Sequence, residues 1–198
     1  MNVGLGFDRQ SPTLAQPTVF SIGHGARSFD EFVVILAAAG VKRLVDVRRY
    51  PGSRRHPHFS REALEESLPG RGIDYEWVGE GLGGRRASGA ANSRHRAWKV
   101  QGFRDYADYM DTDDFRVALE KLEETIRSGP PTAMMCAETL WWRCHRRLIA
   151  DALTVDGFEV VHLMDPKSRQ SHPLHESLRV DELNRPVYDV GVTEQLDL

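Results

Sequence analysis

Two cysteines in 198 residues are too few for the disulfide framework of a small secreted protein, and both fall in one short segment, at Cys136 and Cys144. No early stretch joins a charged lead to an apolar core as a secretory signal does. No apolar run approaches the length that spans a bilayer. A formal net charge of −3 is too small for its sign to name a partner. These absences point to a reduced, cytoplasmic setting and set aside a membrane partner. What is present is ordinary for a globular chain: 40% hydrophobic and 28% charged residues, enough for one domain with a real core.

The charge is unevenly spread. Fourteen lysines and arginines stand against seven acids between Lys42 and Arg104, whereas from Asp151 onward ten acids stand against four basic residues. An anion-facing half and an acidic half are expected from such a split.

Residues 1–17 carry no periodicity and read as a flexible leader; 18–198 read as a single domain with a polar C-terminal tail. Thr18 to Ile22 is a short apolar run ending at Gly23, as in a buried strand. Ser28-Phe29-Asp30-Glu31 has the spacing of a capping box, and Phe32, Ile35, Leu36 and Ala39 then share one helical face up to Gly40. Strands are expected over Val41–Val47, Ile73–Val78, Thr132–Cys136 and Phe158–Met164, with helices from Ser60 to Leu68, around Phe103–Tyr109, from Thr112 to Arg127 and from Cys144 to Val155. Gly79–Ser93 reads as a long glycine- and arginine-rich loop, and a short helix is expected near Glu176–Leu183. Strands alternating with helices at this spacing predict an α/β fold, a mostly parallel sheet flanked by helices.

In such a sheet the residues after the strands share one edge, where ligands bind. Four polar segments stand there: Gly23-His24-Gly25 with Arg27; Asp46-Val47-Arg48-Arg49 with Ser53 and Arg54; Gly81 to Arg85; and Cys136 to Arg147. The last holds both thiols, Glu138, His145, Trp141, Trp142, Arg143, Arg146 and Arg147. A cysteine beside positive charge and a helix start is an activated nucleophile. Cys136, Glu138, Cys144 and His145 are therefore the candidate chemical centre, with Glu138 the proton-transfer group. Arg48, Arg54, Arg143 and Arg146 are the candidate anion holders, supported by Ser53. His24 and Asp46 orient the ligand, and Trp142 offers a stacking face. An arginine two residues from Asp46 favours a permanently ionised anchor over a base. Cys136, Cys144, His145 and His24 are also ligand types for zinc, but their spacing fits none of the common zinc patterns, and no metal or other cofactor is assigned. His56, His58, His95, His172 and His175 lie in polar stretches and read as solvated.

Ser21-Ile22-Gly23-His24, Leu44-Val45-Asp46-Val47-Arg48 with Pro51-Gly52-Ser53-Arg54, Leu82-Gly83-Gly84, Cys136-Ala137-Glu138 and Cys144-His145-Arg146 together make the chain resemble the family called domain of unknown function 488, over about residues 18–164. One departure is Gly25, where many members carry serine after the histidine. The resemblance implies a compact α/β domain with its motif residues gathered in a cleft; it implies no established reaction. The residues themselves point to a nucleotide- or nucleic-acid-directed hydrolase or transferase acting on an anionic ligand. The alternative is a non-catalytic nucleotide- or nucleic-acid-binding module.

Overall fold

The computed structural model describes residues 16–52, 54–87 and 92–192. Ser53 and most of the expected leader therefore lie outside the described residues. The order of elements is β1 (Thr18–Gly23), α1 (Phe29–Ala38), β2 (Arg43–Asp46), α2 (Arg61–Ser67), β3 (Asp74–Trp77), α3 (Gly79–Leu82), α4 (Gln101–Met110), α5 (Asp113–Ser128), β4 (Thr132–Cys136), α6 (Arg146–Val155) and β5 (Glu159–Leu163). Three short strands follow: β6 (Arg169–Ser171), β7 (Leu178–Val180) and β8 (Pro186–Tyr188).

The sheet runs β3-β2-β4-β1-β5-β6, parallel except for β6, which pairs antiparallel with β5. The chain leaves β1 for β2 on one side and leaves β4 for β5 on the other. The neighbours β1 and β4 thus send their connections in opposite directions. A crevice opens at such a switch point, beyond the carboxyl ends of the strands.

The period-2 alternation of the strands divides the core. Ala133 and Met135 of β4 and Leu44 of β2 face the layer of α1 and α2, with Phe32, Leu36, Phe59 and Leu64. Met134 and Cys136 of β4 and Val45 of β2 face α4, α5 and α6, with Tyr106, Phe115, Leu119, Leu148 and Ile149. The same alternation that buries Met134 therefore turns Cys136 toward the start of α6. The two layers and the sheet form a single domain.

Three of the helices begin at caps the sequence shows. Ser28 accepts from the Glu31 amide while Glu31 accepts from the Ser28 amide, a complete capping box. Ser60 and Thr112 cap α2 and α5 one way only, their hydroxyls accepting from the Ala63 and Phe115 amides. None of the described helices is long and apolar enough to cross a membrane.

Three expectations need correction. The helix expected at 176–183 is absent; β7 and β8 form a hairpin there, turned through Asp181, whose carboxylate accepts from the amides of Leu183 and Arg185. The stretch from Gly79 is not all loop, since its first residues form α3. His95 and His172 are buried rather than solvated: His95 sits on Asp111 and His172 on Asp151. A polar stretch reads as solvent-facing, but here pairing with carboxylates, Asp151 buried and Asp111 partly so, satisfies the imidazoles inside the fold.

Candidate functional site

Gly23 at the end of β1 is paired in register with Cys136 at the end of β4. Backbone bonds extend that pairing, His24 N–H to Cys136 O and Gly25 N–H to Ala137 O. Val47 N–H donates to Met135 O on the other side of β4. The histidine turn, the acidic corner and the thiol segment thus flank one another along the rim of the sheet.

Gly25 sits at φ +57, where L side chains are strained. A Cβ there would lie 2.0 Å from Thr139 Oγ1. The Thr139 hydroxyl thus fills the space that a serine at position 25 would need, which gives the family departure a physical counterpart.

Asp46 is fully buried and saturated. It accepts from the backbone and Nε of Arg48, from Arg48 Nη2 at 2.5 Å and from the Tyr75 hydroxyl at 2.7 Å. With its oxygens committed, it is an anchor for Arg48. The remaining nitrogen of that fork, Nη1, lies 3.3 Å from His24 Nε2. Because His24 Nδ1 faces Gly25 O at 2.9 Å, Nδ1 carries the proton and Nε2 accepts from the guanidinium. Burial first, and Arg48 second, hold His24 down to about 4, so its ring is neutral at ordinary pH. Phe59 stacks on it with ring centres 4.4 Å apart.

Cys136, Cys144 and His145 form the second half. Their ligating atoms all lie within 4.8 Å of one another. His145 Nδ1 is 3.8 Å from Cys136 Sγ and 3.6 Å from Cys144 Sγ. His145 Nε2 is 3.1 Å from Val47 O. A carbonyl only accepts, so Nε2 holds a proton and Nδ1 turns its lone pair on the thiols. The ring is wedged in place: a Cβ on Gly84 would stand 2.9 Å from Nδ1, and Tyr106 packs edge-on at 5.1 Å. A thiol hydrogen bond from Cys144 holds Cys136 well below the usual thiol range, against burial and with help from His145 and Arg146. Burial, then the neighbouring Cys136, pushes Cys144 up. Of the two, Cys136 is the thiol that gives up its proton more readily, and Cys144 the one that keeps its own.

These groups open onto a cleft of about 480 Å³ lined by Arg48, Arg49, Arg85 and Arg143, by Tyr50 and Phe103, and by Cys136, Glu138, Cys144 and His145. A larger groove of about 940 Å³ lies between β3 and α5. Among the described residues it is lined by neither thiol nor imidazole, so the chemistry belongs to the smaller one.

The structure brings together Cys136, Glu138, Cys144, His145, Arg48 and Arg143 on the cleft, with His24 and Asp46 directly behind Arg48. Arg146 is placed otherwise. It is buried, and its fork donates to the carbonyls of Ile22, Glu138 and Thr139, tying the thiol loop to β1. Trp142 is 40% exposed and stands edge-on to buried Trp141, outside the cleft lining. Arg54 is exposed and also outside that lining. Tyr50 and Phe103 also line the cleft and were not singled out from the sequence; an aromatic one residue past the Arg48-Arg49 pair is the signal that could have found Tyr50.

A family model described as domain of unknown function DUF488 matches residues 28–153. No curated protein matches the chain, and no solved structure does.

Proposed function

We propose a function for this chain, which belongs to the domain of unknown function DUF488 family, from the chemistry of its own cleft: a hydrolase or transferase acting on an anionic substrate of the nucleotide class. The observation that carries the reading is the seating of Cys136 and His145 in a cleft walled by Arg48, Arg49, Arg85 and Arg143. Guanidinium forks suit phosphate and carboxylate oxygens. The rings of Tyr50 and Phe103 supply faces on which a base can stack. A cleft of this volume is in the range of small-molecule sites.

In this reading His145 Nδ1 takes the Cys136 proton, and the imidazolium that results has an acceptor for each N–H, the thiolate and Val47 O. The Cys136 sulfur bonds to the electrophilic centre of the bound anion. The leaving group departs with the proton from Nδ1. Water, or a second acceptor, then displaces the sulfur, with exposed Glu138 at the cleft edge to take its proton.

The test needs no known substrate. Cys136 is alkylated with anionic iodoacetate and with neutral iodoacetamide after chelator treatment, glutathione serving as the reference thiol. The arginine walls predict an iodoacetate-to-iodoacetamide rate ratio about tenfold above that of glutathione, reduced by salt and by Arg49→Ala or Arg143→Ala. A ratio equal to that of glutathione would refute the anionic cleft, and labelling that spares Cys136 would refute the nucleophile.

A further inference from the structure

The geometry points to a second use of the same three side chains: Cys136, Cys144 and His145 form a binding site for a soft divalent cation of the Zn²⁺ class, which, while bound, withdraws Cys136 from nucleophilic work. This regulation rests on the proposed role of Cys136, but the metal site itself stands on separate observations.

The first is fit. A tetrahedral zinc ion with Zn–S of about 2.3 Å and Zn–N of about 2.0–2.1 Å sets its sulfur–nitrogen edges at about 3.6 Å and its sulfur–sulfur edge at about 3.8 Å. The two sulfur–nitrogen separations here are 3.8 and 3.6 Å, and the third edge is within 4.8 Å. Two of the three edges are therefore at bound size already, and the third lies within about 1 Å of it.

The second is orientation. A ligating imidazole is normally aimed by a hydrogen bond from its other nitrogen to a carbonyl or carboxylate. His145 has that partner in Val47 O, which fixes the tautomer that leaves Nδ1 free to ligate. Gly84 and Tyr106 both pack closely against the ring.

The third is charge. Arg48 and Arg143 line the same cleft, and Arg146 lies beneath it, surroundings that oppose a bare cation. Two thiolates cancel the two charges of the ion, so a Cys₂His complex adds no net charge to a basic site. The protons of both thiols leave to solvent on binding. All three ligands line the cleft, so a fourth position is supplied from it, by water or by an oxygen of the bound anion. The pattern escapes the sequence because Cys136 comes from a strand end and Cys144-His145 from the approach to α6, eight and nine residues on, with a turn at Trp141–Arg143 between them. A strand-end cysteine facing a helix start has no fixed spacing to the residues it meets.

The experiment uses the full chain, stripped by a chelator and titrated with Zn²⁺ alone against a chromophoric competitor, then with Co²⁺ to read thiolate-to-metal charge transfer. One equivalent of Zn²⁺ is expected, with sulfur–cobalt bands in the near ultraviolet and with Cys136 alkylation suppressed while the ion is bound. Cys144→Ser and His145→Ala are each expected to weaken the ion by more than about tenfold. Circular dichroism of each variant confirms that it is folded, and the cobalt spectrum of the wild-type chain stands even if a variant is not. No stoichiometric zinc, or a Co²⁺ spectrum without sulfur bands, would overturn the site. Zinc bound without loss of alkylation would overturn the regulation. The two readings fail separately: absent zinc with the iodoacetate preference intact removes only the metal, and bound zinc with no such preference after stripping removes only the proposed function.

Discussion

Arg48 shows how one residue can be committed before any ligand arrives. Three hydrogen bonds of its side chain go to Asp46 and a fourth side-chain contact goes to His24, so its charge is fixed in place beside Cys136. Arg48→Ala leaves a fully buried carboxylate without its cation, a loss of about 3–5 kcal/mol, measurable as a lower urea midpoint. Lysine cannot reproduce the fork and is expected to recover only part of that loss. An unchanged midpoint would mean that Asp46 is not held by this pair. The anchoring role of Asp46 was legible from the arginine two residues away. The role of Arg146 was not, since Arg143, Arg146 and Arg147 look alike in a motif. Helical phase carried the missing signal: Arg146, Ile149 and Leu153 share one buried stripe of α6, and an arginine on an apolar stripe binds backbone carbonyls more readily than a ligand in solvent.

At the scale of elements, α1 was legible almost to the residue, because its cap is a local hydrogen-bond pattern. Ser28→Ala is expected to cost about 1 kcal/mol, read from thermal or denaturant unfolding, and no loss would show the cap to be idle. The hairpin of β7 and β8 was not legible. Its strands are three residues each and its turn is held by Asp181, so neither period has room to show. In α5, burial and then the neighbouring Asp156 raise Glu123 to about 7. A carboxyl whose folded value exceeds its unfolded value stabilises the fold below the unfolded value and loses that contribution as pH rises through the folded one. Glu123 therefore favours the fold fully below about pH 4.5 and loses its contribution by about pH 7. Glu123→Gln is expected to be more stable than the wild-type chain at about pH 8 and to lose that advantage in acid; equal stability at both would contradict the burial argument. The turn before the cleft offers a third check. Gly84→Ala pushes a methyl group against the His145 ring, so slower Cys136 alkylation with little change in unfolding midpoint is expected.

At the scale of the molecule, the strand order decides where chemistry can occur. The switch between β1 and β4 brings Gly23 and Cys136 side by side, and the alternation of β4 turns the cysteine to the α6 side. The five parallel strands were readable from periodicity; the order β3-β2-β4-β1-β5-β6 was not, because the pairing of β4 between β1 and β2 leaves no local trace. The uneven charge of the chain becomes concrete in the cleft, where three of the four lining arginines come from the basic stretch between Lys42 and Arg104. Acid is expected to weaken the whole fold. His24 and His162 are both held below the ordinary imidazole value by burial first, so the unfolded chain binds protons there that the folded chain does not. Their contribution is full above about pH 6.5 and fades toward about pH 4 for His24 and about pH 2 for His162, and His24→Gln is expected to flatten the upper part of that slope in a series of urea unfolding curves.

The central claim, that the arginine walls seat an anion on the Cys136 thiolate, is tested most directly by protection. Metal-free protein is labelled with iodoacetamide in the presence of rising nucleoside monophosphate, and the labelled cysteine is mapped by mass spectrometry. The account predicts labelling of Cys136 slowed by about tenfold at saturation, with protection weakened by Arg49→Ala and Arg143→Ala and by salt. Labelling of Cys136 at the same rate with and without nucleotide, in wild-type and variant chains alike, would contradict it.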